Sequence, residues 1–251
     1  MSGKSETVAA EHVAVHPRAG QLQLVLALLG LAALLVAPMF LYPIFLMKLL
    51  AFALFAAAFN LLLGYTGLLS FGHATFFGGA AYFTGHAIKA WGWSPEAGIL
   101  LGVLGAALLG LVMGAIAIRR QGIYFAMITL ALSQLMFFLY VQSPFTHGED
   151  GIQSIPQGKF LGILNLARPY ELYYVVLAVF LFGFFIIYRA VNSPFGEVLK
   201  AIRENEQRAI SLGYRADQYK LMAYILSGTL AGLAGGEARA TPAARCSAAR
   251  P

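Results

Sequence analysis

Residues 98–118 read GILLGVLGAALLGLVMGAIAI, an unbroken run without a charge, followed at once by Arg119 and Arg120. A helix rises about 1.5 Å per residue, so about 20 apolar residues cross the roughly 30 Å hydrocarbon core of a bilayer. A helix buried in a soluble core would show a polar stripe at helical period, and this run has none. Working outward, runs of similar character lie at 22–42, 44–63, 74–88, 122–141 and 172–188, with a marginal one at 221–236. The pattern predicts an all-α polytopic membrane protein of about seven transmembrane helices.

Composition agrees. The chain is 59% hydrophobic and only 11% charged, whereas a soluble domain carries about 25% charged residues. Mean hydropathy is +0.73. The single cysteine, Cys246, excludes an internal disulfide. The net charge of +6 is spread over loops rather than gathered into a basic stripe with aromatics, so no nucleic-acid partner is expected. The first run lacks a small-residue cleavage site and reads as an uncleaved span.

Lys and Arg collect on the cytoplasmic side of membrane proteins. With the N-terminus inside, the inner segments hold Lys4, Arg18, Arg119, Arg120, Arg189, Lys200, Arg203, Arg208, Arg215 and Lys220. The outer side holds Lys48, Lys89, Lys159 and Arg168, a split of ten against four. The expected layout is a cytoplasmic arm at 1–21, a transmembrane domain at 22–236 with a large inner loop at 190–219, and an atypical Ala/Arg/Pro tail at 237–251. Residues 142–170 form the longest outer segment, and Trp91 and Trp93 an outer aromatic anchor. Within or near the spans the ionisable residues are Lys48, His73 and His86. A proton-driven carrier would be expected to retain acidic groups there.

Two segments stand out. The first, residues 64–79, reads GYTGLLSFGHATFFGG and holds five glycines in sixteen residues. Each weakens a helix by about 1 kcal/mol relative to Ala, so the stretch is poised to break. Broken backbone at membrane depth lines cavities or is buried in protein. Gly64, Tyr65, Gly67, Ser70, Phe71, Gly72 and His73 are therefore candidates for a translocation path, with helix packing as the competing role. His73 by itself fits a satisfied packing histidine better than a ligand. Gly110/Gly114 and Gly228/Gly232 read as small-residue packing faces.

The second, residues 193–213, reads SPFGEVLKAIRENEQRAISLG. Ser193 suits an N-cap, Pro194 the first helical position and Gly213 a left-handed C-cap. Phe195, Val198, Leu199, Ile202 and Ala209 share one face, while Lys200–Glu204 and Glu204–Arg208 are spaced for pairing on the other. Asn205 is placed to split the element in two. The result is an amphipathic inner helix with no obvious partner within the chain. It suits docking by a cytosolic subunit, with a helix lying on lipid headgroups as the alternative.

FNLLLGYTGLLSFGHATFFGGAAY (59–82), GIYFAMITLALSQ (122–134), THGEDGIQSIP (146–156), SPFGEVLKAIRENEQRAISLGY (193–214) and YKLMAYILSGTLAGLAGG (219–236) together resemble the permease subunits of branched-chain amino acid ABC importers, of the LivM type. The resemblance covers about residues 22–236. It implies a second permease subunit, cytosolic ATP-binding subunits and an extracytoplasmic substrate-binding protein as partners in a bacterial inner membrane. It puts Gly196, Ala201, Arg203, Glu204, Asn205, Ala209 and Gly213 in an ATPase-coupling loop, to which the shared apolar face adds Phe195, Leu199 and Ile202 as docking candidates. It places Gly64, Tyr65, Gly67, Ser70, Phe71, Gly72 and His73 in a signature segment beside the translocation path. At 146–148 His147 interrupts the family's more usual Thr-Gly-Gly. The family continues with further spans where this chain enters its tail, so an incomplete bundle is expected.

No Gly-x-x-x-x-Gly-Lys spacing occurs, and Gly158-Lys159 lacks the earlier glycine, so ATP hydrolysis is expected on a separate subunit. Paired carboxylates, a metal-ligand cluster or an activated nucleophile are absent from the spans, which argues against an enzyme and against a cofactor. The alternative function is a self-contained ion-coupled secondary transporter.

Overall fold

The apolar runs become helices whose ends follow the turn residues between them. The computed structural model describes residues 17–120, 122–143, 152, 159–160, 164–165 and 169–240. The helices are α1 (Pro17–Phe40), α2 (Pro43–Asn60), α3 (His73–Ala90), α4 (Pro95–Ala117), α5 (Ile123–Gln142), α6 (Pro169–Val191), α7 (Pro194–Glu204), α8 (Glu206–Ser211) and α9 (Ala216–Ala240). A π-helical turn, Leu61–Thr66, extends α2. A two-residue antiparallel pairing, β1 (Lys159–Phe160) with β2 (Leu164–Asn165), is the one β ladder among the described residues. The protein is an all-α polytopic membrane protein.

Residues 1–42 and 43–251 form two compact units. Of the first, α1 is described: a helix of 24 residues with Pro38 in its last turn. It starts at Pro17, inside the stretch assigned to a polar arm, because proline at a helix start forfeits no hydrogen bond.

In the second unit α3, α4 and α9 pack most closely together, and α2 and α6 lie against each other with α2 also on α9. Four described segments are apolar and long enough to cross a bilayer: Pro43–Thr66, Pro95–Ala117, Ile123–Gln142 and Tyr170–Val191. Helices α3 and α9 fall outside that set, although α9, with 25 residues, is longer than any of the four. The reason is position. Ala223, Tyr224, Ser227, Gly228, Ala231 and Gly235 of α9 are buried by protein, so α9 needs small residues rather than lipid-facing leucines. A Cβ on Gly235 would run into the backbone carbonyl of Phe77 on α3, which rules out any larger residue there. A Cβ on Gly114 of α4 would stand 2.9 Å from the Tyr224 ring, and Gly228 faces Phe76. Both small-residue faces thus pack within the chain. Leu100, Leu104 and Leu108 of α4, by contrast, recur at one-turn spacing and are exposed, as a lipid-facing stripe requires.

The marginal seventh run is therefore the hub of the second unit. It also extends past the composition change at Glu237, which α9 carries in helical form to Ala240 with Glu237 itself buried. Residues 241–251 with Cys246, arm residues 1–16, and His147 with most of the 142–170 segment lie outside the described residues. Trp91 and Trp93 are exposed at the α3–α4 connection with ring centroids 5.1 Å apart, as an aromatic anchor would be.

Candidate functional site

At the end of α2 the helix loosens before it breaks. Gly67, with φ +71°, takes the left-handed conformation that stops the π turn, and residues 67–72 are non-helical until His73 opens α3. The break is tied down by its neighbours. Phe71 N–H donates to Thr129 Oγ1 of α5 at 3.2 Å, and Gly72 N–H donates to Ser70 Oγ at 3.2 Å. Thr66 Oγ1 bonds the Leu62 carbonyl. Ser70 and Gly72 are buried, and a Cβ on Gly72 would stand 3.2 Å from Met113 Cε and from the Thr129 carbonyl. Phe71 is exposed.

His73 points the other way, into the core. Ser227 Oγ donates to the Ala58 carbonyl, so it accepts from His73 Nε2–H at 2.7 Å. Phe59, Phe76 and Tyr224 meet the imidazole edge-on at centroid distances of 5.3, 5.6 and 6.1 Å. One side chain thereby links α2, α3 and α9.

The amphipathic loop forms by the local rules read from it. Pro194 begins α7, and Ser193 sits at the N-cap, although its hydroxyl turns back to the Ala190 carbonyl at 2.6 Å. Asn205 ends α7 and starts α8, its Oδ1 accepting from Arg208 N–H at 3.0 Å. Gly213, at φ +91°, closes α8. Gly213 N–H reaches the Ile210 carbonyl at 2.9 Å and Tyr214 N–H the Ala209 carbonyl at 3.2 Å, the paired bonds of a Schellman cap. Gly196 is required because a Cβ there would overlap the Val191 carbonyl, where α7 folds back on the end of α6.

The apolar face of this loop does have a partner within the chain, which corrects the expectation above. Leu199 is 1% exposed and joins the main core with Leu61, Leu62 and Tyr224. Ile202, Ala209 and Ala216 make a small cluster with Val198 and Tyr219. Phe195 stacks on Tyr219 with centroids 6.0 Å apart. Lys220 of α9 and Glu206 of α8 form an ion pair at 2.6 Å with the ammonium almost fully buried. Lys200 pairs with Glu197 at 3.2 Å rather than with Glu204. The break at Asn205 takes Glu204 and Arg208 out of a common helix.

The two segments meet. Arg203 of α7 donates to the Gly64 carbonyl in the π turn, across 139 positions of sequence, and its stem covers Gly67, whose Cβ position lies 3.2 Å from Arg203 Cγ. Lys200 stands 5.9 Å from the Tyr65 ring centroid. Between them lies a cavity of about 640 Å³ lined by Asn60, Gly64, Tyr65, Lys200, Arg203 and Glu204. Of the seven path candidates, Gly64 and Tyr65 line this cavity, Gly67 abuts its wall, and the remaining four lie along the break or in the core. Of the loop candidates, Ala201, Arg203, Glu204, Asn205 and Gly213 are exposed, and Gly196, Leu199, Ile202 and Ala209 are buried.

Residues 41–241 match the family described as the permease component of the branched-chain amino acid transport system. The chain belongs to this family. It is similar to the high-affinity branched-chain amino acid transport system permease protein LivM of Escherichia coli K12, at 28% identity over 70% of this chain and 47% of that protein. The LivM protein of Salmonella typhimurium LT2 matches at the same identity and coverage. The chain spans about half the length of the curated relatives it matches. No solved structure matches.

The family match takes in α2 to α9 and so includes both halves of the junction. In this permease-family chain the exposed apolar residues of the loop are Ile210, Leu212 and Tyr214, at 48%, 70% and 41% exposure. They had not been singled out in the sequence. Their signal was available: they are large apolar residues that fall off the stripe ending at Ala209, in a segment otherwise rich in charge.

Proposed function

We propose that the chain is a transmembrane permease subunit of an ABC importer for branched-chain amino acids (leucine, isoleucine, valine) or related small solutes. Hydrolysis of ATP takes place on separate cytosolic subunits, and a second permease subunit and an extracytoplasmic binding protein complete the assembly. The observation that carries this reading is the junction within the family-matched region. The exposed edge of α7–α8 is in reach of a partner, its buried edge is packed on α9, and Arg203 connects it to the π turn at Gly64 and covers Gly67, where the backbone breaks. A push on the loop would thus be felt at the break. The coupling surface is the exposed set Ala201, Arg203, Glu204, Asn205 and Gly213 with Ile210 and Leu212, while Phe195, Gly196, Leu199, Ile202 and Ala209 hold the loop in place.

Tagged chain extracted gently from its host membrane is expected to bring down an ATP-binding subunit, and leucine uptake by the assembly is expected to follow ATP rather than an ion gradient. Uptake that collapses with an ionophore while persisting without ATP would overturn the proposal.

The ten-to-four charge split supports an orientation in a bacterial inner membrane with the N-terminus and the 190–219 loop on the cytoplasmic side. In a Cys246→Ser background, Gln157→Cys is expected to react with an impermeant thiol reagent in intact cells, and Gln207→Cys only after lysis. Labelling of position 207 in intact cells would reverse the topology.

A further inference from the structure

We propose that the cavity between the π turn and α7 is a binding site for the headgroup of an anionic phospholipid. Its lining supplies the chemistry. Arg203 spends one N–H on the Gly64 carbonyl and keeps four donors in its planar fork, a geometry suited to phosphate oxygens. Lys200 adds a point charge, the exposed Asn60 an amide, and Tyr65 an aromatic wall. The Lys200–Glu197 pair is exposed on both sides, so it is weak and leaves the ammonium free to turn.

Position and charge select a lipid over a soluble anion. The cavity lies where the span Pro43–Thr66 ends, and the end of a span is where headgroups meet the protein. Leu63, Leu69 and Phe71, which flank it in the chain, are 38%, 40% and 54% exposed, as side chains beside acyl tails would be. Basic pockets at the ends of spans are a recurring form of lipid-headgroup site. Glu204 also lines the cavity and Glu197 pairs with Lys200, so the two cations are nearly balanced by carboxylates. That balance suits the singly charged phosphodiester of a phospholipid and penalises a doubly charged free phosphate. The site shares Arg203 and Glu204 with the coupling surface proposed above, so it is tested on the chain without a partner subunit.

The test is native mass spectrometry of the purified chain in micelles, titrated with short-chain phosphatidylglycerol, with phosphatidylcholine and with inorganic phosphate. Saturable binding of phosphatidylglycerol is expected, with the other two at least tenfold weaker. Lys200→Gln is expected to weaken it about fivefold, the factor typical of one cation at an anionic surface. Glu204→Gln, which leaves the Arg203–Gly64 bond untouched, is expected to tighten it by a similar factor. Equal binding of phosphatidylcholine, or wild-type affinity in both variants, would overturn the site. Displacement of the lipid by equimolar phosphate would reassign it to a soluble anion.

Discussion

Leu199→Asp is expected to unseat the α7–α8 loop in the isolated chain, before any partner is present. Leu199 is 1% exposed and belongs to the main buried cluster that also holds Leu61, Leu62 and Tyr224. Truncating such a leucine to alanine costs about 2–5 kcal/mol. A carboxylate at the same place adds the penalty of a buried, unpaired charge, several kcal/mol more unless the group leaves the core. The cheaper response is for the loop to detach. Trypsin cleavage at the exposed Arg203, Arg208 and Arg215 should then accelerate sharply, with a lower melting temperature in micelles. Ala201→Asp, on the exposed side of the same helix, is expected to stay within about 0.5 kcal/mol of the original. If Leu199→Asp resists trypsin and melts like the parent chain, the stripe faces outward and the packing described for it is wrong. A partner-facing stripe would give that unchanged stability together with loss of the ATP-binding subunit. The two readouts separate the cases.

Lys220→Met is expected to destabilise the junction of α8 and α9 by about 3–5 kcal/mol, the usual cost of removing one partner from a buried ion pair. Lys220 Nζ lies 2.6 Å from Glu206 Oε1, with the side chains 4% and 17% exposed. Removing the ammonium leaves the Glu206 carboxylate close to apolar packing without a counter-charge. Removing both charges is a different experiment. Lys220→Met with Glu206→Leu is expected to recover most of the loss, because an apolar pair of similar size replaces a buried ion pair at little net cost. The double-mutant cycle, read from thermal melts of the purified chain, should therefore show coupling well above the few tenths of a kcal/mol found for independent sites. Additive effects would mean that the two groups do not share an ion pair in solution.

Much of the fold was legible because its signals are local. Gly67 and Gly213 adopt positive φ that few other residues tolerate, Asn205 supplies its own cap, and Pro194 starts a helix where a missing N–H is harmless. The lengths of the spans follow from bilayer thickness alone. Each of these depends on a few neighbouring residues, so reading the chain in order recovers them.

Contacts across the chain were not legible in that way. Hydropathy cannot distinguish a face against lipid from a face against another helix, since both are apolar. That is why α9, poor in large aliphatics, read as the weakest span and is in fact the hub around which α2, α3 and α4 pack. The same ambiguity hid the partner of the α7 stripe: Leu199 and Ile202 look alike whether they wait for another protein or rest on their own core. His73 was readable as a packing histidine, but not its bond to Ser227, 154 positions away. By itself the sequence determined the helices, their breaks and their caps, because steric and capping rules act within a turn or two. Only the tertiary structure decided which faces are buried, and brought Arg203 to the Gly64 carbonyl. That contact depends on how α2 and α7 are held by α6 and α9, and no short stretch of chain encodes it.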